Sequence, residues 1–144
     1  MEYIIVSACL LGLRTRYDGG SKPDVNLEKI LEGRAPIPVC PEQLGGLPTP
    51  RPRAEISEGD GTDVLAGRSC LLNERGEDVT ARYVRGAEEV AVLAKKFGVK
   101  TACLKAKSPA CGVSAIKRKG KLAAGPGVAA AKLLQMGIKL IEVG

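Results

Sequence analysis

YIIVSAC, residues 3–9, opens the chain with an apolar run that lacks polar alternation and is rich in β-branched side chains. Such a run predicts a strand buried on both faces, the kind found in parallel sheets covered by helices. PIPVC (36–40), VKTACL (99–104) and IKLIEV (138–143) read the same way. Helical spacing appears between them. Residues 25–33 place Leu27, Ile30 and Leu31 on one face, with Asp24 as N-cap and Gly33 as stop. From Thr80 as N-cap, Val84, Ala87, Val90, Ala91, Ala94 and Phe97 form an apolar stripe that ends at Gly98. A last helix opens at Pro126 or Gly127 and runs to Met136. The alternation predicts an α/β fold over residues 1–144 as a single domain: a three-layer, Rossmann-like sandwich with a mostly parallel sheet.

Two stretches interrupt the pattern. Residues 41–61 hold too many Gly and Pro for a regular element, so a long loop is expected there. Residues 62–72, a turn at Asn73–Gly76 and a return through Asp78 and Val79 predict a small hairpin insertion. The basic run KRKGK (117–121) reads as a solvated hairpin edge rather than an RNA-binding patch.

The 144 residues are 44% hydrophobic and 26% charged, the balance of a globular protein with its own core. No apolar stretch approaches the roughly 20 residues that span a bilayer, and the first run falls short of the about 7 to 15 of a signal peptide, so a cytoplasmic location is expected. A net charge of +6 points to an anionic partner. With only Tyr3, Tyr17, Tyr83 and Phe97 as aromatic platforms, an extended nucleic-acid surface is disfavoured and a small anionic ligand fits. The chain has no histidine, which removes every Ser/His and Cys/His nucleophile arrangement.

Five cysteines divide by context. Cys70 and Cys103 sit inside apolar runs and read as buried thiols. Cys9, Cys40 and Cys111 each follow a predicted strand, and in a parallel sheet all strand ends lie on one edge, where α/β folds place ligands. Three thiolates without histidine suit a soft centre, either an iron–sulfur cluster or zinc. Glu42 lies two residues past Cys40, and Ser108 lies three before Cys111. A carboxylate in a crowded, partly apolar pocket would suit acid–base work. Arg14, Arg16, Arg51, Lys105 and Lys107 are candidates to bind an anionic substrate or offset an anionic cluster. The GPG at 125–127 opens a helix and is a candidate anion seat, although nothing matches a dinucleotide or Walker fingerprint.

Four stretches in this order, SACLLG with RYDGG (7–12 and 16–20), VCPEQLGGLPTPR (39–51), GEDVT (76–80) and LKAKSPACG (104–112), resemble the thiouracil desulfidase family over nearly the whole chain. The resemblance implies a [4Fe-4S] cluster on three cysteines, matching Cys9, Cys40 and Cys111, with one iron left open. That iron would take the sulfur of a thiolated pyrimidine base, nucleoside, nucleotide or similar thioamide while water attacks the carbon, and hydrosulfide would be released with no net redox change. Glu42 and Ser108 fall on the family's acid–base pair. Many members read SPSCG where this chain has Ala110, a difference expected to bear on substrate choice if that serine handles substrate. The chain also ends at Gly144 without the further domain that some members carry, so contacts from such a domain are expected to be absent. The other reading of these residues is a cluster- or zinc-bearing module that binds or carries sulfur without turnover.

Overall fold

A computed structural model describes residues 1–144. β1 (Glu2–Ser7) leads through a 3-10 turn (Ala8–Leu11) and helix α1 (Leu27–Leu31) to β2 (Arg34–Val39). Helix α2 (Pro41–Leu44), β3 (Ala54–Ile56), helix α3 (Gly61–Leu65) and β4 (Leu71–Asn73) precede the long helix α4 (Thr80–Lys96). Then come β5 (Thr101–Lys105), β6 (Ala115–Arg118), β7 (Lys121–Ala124), α5 (Val128–Gln135) and β8 (Lys139–Val143).

The four apolar runs form one parallel sheet in the order β2-β1-β5-β8. Successive side chains of a strand point to opposite faces. Ile4, Val6 and Cys103 therefore pack on one side with Leu10, Leu27 and Val143. Ile5, Ala102 and Leu104 pack on the other with Ala87 and Val90 of α4 and Val128, Ala129 and Leu133 of α5. The central strands β1 and β5 are buried on both faces, as the lack of alternation predicts, while the edge strands β2 and β8 are only partly covered. The cover is uneven: two longer helices on one face, and α1 with the 3-10 turn on the other. No helix is long and apolar enough to cross a membrane. The edge strand β2 carries Pro36 and Pro38, which deny a further strand its ladder donors.

The interrupting stretches hold more structure than the sequence predicts. Residues 41–61 contain α2 and β3 rather than one long loop. The first part of the expected strand at 62–72 is the helix α3. Asp60 caps it by accepting from the Thr62 amide at 2.8 Å, and its own amide donates to Asp63 at 2.9 Å. That capping box outweighs the strand-like look of Val64-Leu65. The turn at Asn73–Gly76 is present, with Asn73 Oδ1 accepting from Arg75 and Glu77 at 2.9 and 3.0 Å, and β4 pairs antiparallel with β3. KRKGK forms the β6–β7 hairpin, turning at Lys119 and Gly120 with φ of 51° and 75°. Its Arg118 is not a free solvated charge, because Nε donates to the Ile56 carbonyl at 2.8 Å.

Three expectations within single elements need correcting. Thr80 is the first residue of α4 rather than its cap, and its hydroxyl accepts from the Leu71 amide. Phe97 does not complete the buried stripe; it is 43% exposed and packs against Tyr3, ring centres 5.1 Å apart. The buried line on α4 runs Tyr83, Gly86, Ala87, Val90 and Ala94. Cys103 is wholly buried, but Cys70 is only half-buried, with its Sγ 3.3 Å from the Ser57 hydroxyl.

Two glycines let α2 lie directly on α4. A Cβ on Gly86 would collide with the Pro41 carbonyl oxygen, and one on Gly45 with the Arg82 carbonyl oxygen. Gly86→Ala is therefore expected to lower stability by about 1–3 kcal/mol through overpacking, read from thermal or denaturant unfolding. Burial pushes the Cys103 thiol up to about 11, with the Asp24 charge adding to it. Iodoacetamide at pH 8 should modify Cys70 well before Cys103, as peptide mass spectrometry would show; the reverse order contradicts this placement.

Candidate active site

The chain leaves β1 toward β2 on one side and returns to β5 on the other, so the carboxyl ends of β1 and β5 flank a topological switch point, where open α/β sheets bind ligands. A cavity of about 410 Å³ opens there. Its walls include Cys9 from the turn after β1, Cys40 and Glu42 from the β2–α2 junction, and Lys105, Ser108 and Cys111 from the end of β5 and the loop beyond it. Arg16, Arg51 and Lys107 line it as well. Arg14 is exposed and does not, and neither do Cys70 and Cys103.

Each cysteine is held by its local backbone. Cys9 lies in the 3-10 turn, where its carbonyl accepts from the Gly12 and Lys22 amides at 3.2 and 2.9 Å. Cys40 is the extended N-cap of α2, with Pro41 at the first helical position, and its Sγ lies 3.6 Å from the Thr15 carbonyl oxygen. Cys111 closes a turn in which Ser108 Oγ accepts from the Ala110 and Cys111 amides at 3.1 and 3.0 Å. The carbonyls of Pro109, Ala110 and Gly112 accept in turn from the Val128, Ala129 and Gly127 amides at 2.9, 3.0 and 2.8 Å. The GPG segment is thus no anion seat. Its helix start holds the Cys111 loop, and Gly127 is needed because a Cβ there would meet the Pro109 and Ala110 backbone at 2.6 Å. Ala110 is buried within this loop and does not line the cavity.

Burial pushes all three thiols up. It is opposed by Lys105 at Cys9, by the Gln43 amide and Arg51 at Cys40, and by the Ser7 hydroxyl at Cys111. The charge of Cys40 would raise both of its neighbours further, a sign of how near the three lie. Burial thus favours the neutral thiols, and a metal centre held there would take them as thiolates and release their protons.

Arg51, read from sequence as a candidate anion binder, is 7% exposed and fully occupied within the protein. Its Nε donates to Glu42 Oε1 at 3.0 Å. One terminal nitrogen donates to Thr49 Oγ1 at 2.8 Å and the Pro48 carbonyl at 3.3 Å; the other donates to the Thr15 carbonyl at 2.8 Å and touches Cys40 Sγ at 3.8 Å. Glu42 correspondingly lies in a polar grip rather than an apolar pocket. Its Oε1 also accepts from the Tyr83 hydroxyl at 2.6 Å. Burial, together with the Glu42 carboxylate, pushes the Tyr83 phenol well above its ordinary value, so the hydroxyl remains a donor.

Sequence reasoning missed several lining residues, among them Lys22, Arg53, Glu55, Lys117 and the buried Tyr83 and Ser7. Tyr83 carries the polar atom on the buried line of α4, and a buried tyrosine hydroxyl needs a partner, which was the available signal. Ser7 is buried at the end of β1 and accepts from the Lys105 amide at 2.9 Å; nothing in YIIVSAC marks it. The charged part of the remaining wall is mostly cationic. Arg16, Lys22, Arg53, Lys105, Lys107 and Lys117 face a single further carboxylate, Glu55. The Arg16 and Arg53 guanidinium groups lie over the Tyr17 ring, 5.9 and 5.5 Å from its centre.

This donor set fits an iron–sulfur cluster. Thiolates are the ligands such clusters take, and the cationic wall offsets their charge. A structural zinc ion would want a fourth protein ligand beside the three thiols.

Comparison with known proteins gives the same direction. Residues 4–143 match the family model described as 2-thiouracil desulfurase. The chain is 40% identical over 142 residues to the uncharacterized protein YbbK of Bacillus subtilis (strain 168), spanning 96% of this chain and 94% of that protein. The solved structure of the [4Fe-4S]-dependent thiouracil desulfidase TudS is similar at a TM-score of 0.84 and 43% identity, over 99% of this chain and 91% of that one. With sequence matched almost end to end and the fold shared, the chain belongs to the 2-thiouracil desulfurase family.

Proposed function

We propose that this protein hydrolyses the carbon–sulfur bond of a thiolated pyrimidine base, nucleoside or nucleotide, releasing hydrosulfide, with a [4Fe-4S] cluster on Cys9, Cys40 and Cys111. The observation that carries this reading is the meeting of three cysteines from three strand ends with one carboxylate and one hydroxyl in a single cavity. When bound through only three thiolates, the cluster supplies an iron without a protein ligand, a soft Lewis acid that prefers sulfur to oxygen.

The chain's own groups supply the rest. Replacing C=S by C=O with water leaves carbon at the same oxidation level, so the protein has protons to move and no electrons. Glu42 is the base that takes a proton from the attacking water, and the same proton can return to the departing sulfur. Ser108 Oγ already accepts two amide hydrogens, which leaves its O–H free to donate to the polarised substrate. Arg16 and Lys107, with Lys105, whose Nζ already donates to the Ala106 and Gly144 carbonyls at 3.1 and 3.2 Å, are the cations that hold an anionic or electron-rich substrate, a role that Arg51 is too fully engaged to share. The cavity volume lies in the range of small-molecule sites and admits a flat ring.

Cys9→Ser, Cys40→Ser and Cys111→Ser should each abolish the reconstituted cluster, while Cys70→Ala and Cys103→Ala keep it, measured as iron content and visible absorption after anaerobic reconstitution. The converse pattern would assign the cluster elsewhere. Glu42→Gln should keep the cluster and lose hydrosulfide release from 4-thiouracil by about 100-fold or more. Undiminished release in that variant removes Glu42 from the chemistry. A fully loaded protein that releases no hydrosulfide from any thiolated pyrimidine base, nucleoside or nucleotide would instead be a sulfur-binding module.

A further inference from the structure

The two oxygens of Glu42 are not equivalent. Oε1 accepts both from the Tyr83 hydroxyl at 2.6 Å and from Arg51 Nε at 3.0 Å, whereas no group of the protein donates to Oε2. The side chain is 15% exposed and lines the cavity. The last torsion of a glutamate is soft, with no strong intrinsic preference. Here two donors from different parts of the chain meet on one oxygen and fix it.

Neither donor is free to follow a rotating carboxylate. Arg51 is tied to the Thr15 and Pro48 carbonyls and to the Thr49 hydroxyl. Tyr83 is 2% exposed and sits on α4 one turn before Gly86, where the α4 backbone touches that of α2. The distance from Tyr83 to Glu42 is therefore set by a helix crossing and not by a flexible side chain. A buried tyrosine satisfied by a carboxylate is common in purely architectural settings. This one differs in that its partner is a cavity carboxylate with its other oxygen unclaimed.

We infer that Tyr83 is a positioning residue of the reaction: with Arg51 it pins Glu42 Oε1 and leaves Oε2 as the single oxygen that meets water and substrate. The inference rests on the proposed role of Glu42. Arg51 also ties the surrounding loops together, whereas the Tyr83 hydroxyl bonds Glu42 alone.

The test is Tyr83→Phe, which deletes one oxygen and keeps the ring in the core, compared with Glu42→Gln and with the double variant, all reconstituted in parallel. The expected result is an unchanged iron content, a KM within a few-fold of the parent and a kcat lower by about 10- to 100-fold, the scale of losing alignment alone. In the Glu42→Gln background the same change should cost nothing further, because Tyr83 acts through Glu42. A crystal structure of Tyr83→Phe should show the Glu42 carboxylate turned or in more than one orientation. Three results would overturn the inference: a kcat equal to the parent's, a loss as large in the Glu42→Gln background as in the parent, or loss of fold or cluster, which would make Tyr83 architectural. If Glu42→Gln is itself fully active, the role of Glu42 fails and the inference falls with it. A dead Glu42→Gln beside a fully active Tyr83→Phe would remove the positioning role alone.

Discussion

The buried Arg51–Glu42 pair is the interaction on which the site depends. One guanidinium ties the distant loop at Thr15 to three points near it in sequence: the end of β2 at Cys40, the first turn of α2 at Glu42 and the Pro48–Thr49 turn. A charge taken out of water must be paired and hydrogen-bonded, and removing one partner of such a pair costs about 3–5 kcal/mol because the other is left stranded. Arginine suits the place because its planar fork offers several donors in fixed directions, which lysine does not. The pair thus fixes the relation of a thiol to a carboxylate while adding little exposed charge.

Two backbone-to-backbone contacts complete the frame. On one side, Gly45 and Gly86 bring α2 onto α4, which places Tyr83 on Glu42. On the other, the first amides of α5 bond the carbonyls of the Pro109–Gly112 turn and hold Cys111 at the cavity. The three proposed cluster ligands are therefore carried on three supports: a turn after β1, a proline-started helix after β2, and a serine-closed turn locked to a helix N-terminus. Reactive groups on loops are held to the precision of the elements behind them. Here the loops are short of freedom because helix ends and a buried charge clamp them.

The sequence makes the sheet and the meeting of the cysteines legible, for a simple reason. Strands buried on both faces announce themselves by unbroken apolar runs, and a parallel sheet puts every strand end on one edge. The parallel sheet, and a cavity at its edge that gathers Cys9, Cys40, Cys111, Glu42 and Ser108, follow from those two facts, whereas the order β2-β1-β5-β8 does not. What stays hidden is set by partners distant in sequence. Arg51 looks like any loop cation until Glu42 and Thr15 surround it; Tyr83 looks like one residue of a helix face. The GPG helix start invites an anion, yet its amides face carbonyls from a loop 15 or more residues earlier. Residues 60–65 failed differently, since a local capping box competed with a strand-like pair and the cap prevailed.

The central claim is that the cavity holds a cluster through three cysteines and leaves one iron to the substrate. Diffraction at the iron edge from crystals of anaerobically reconstituted protein tests it most directly. The account predicts four iron positions in the cavity beside Lys105 and Glu42, with Cys9, Cys40 and Cys111 as the protein ligands and one iron bound by none. A single metal ion, or a fourth protein ligand such as Glu42 closing the last iron, would contradict it.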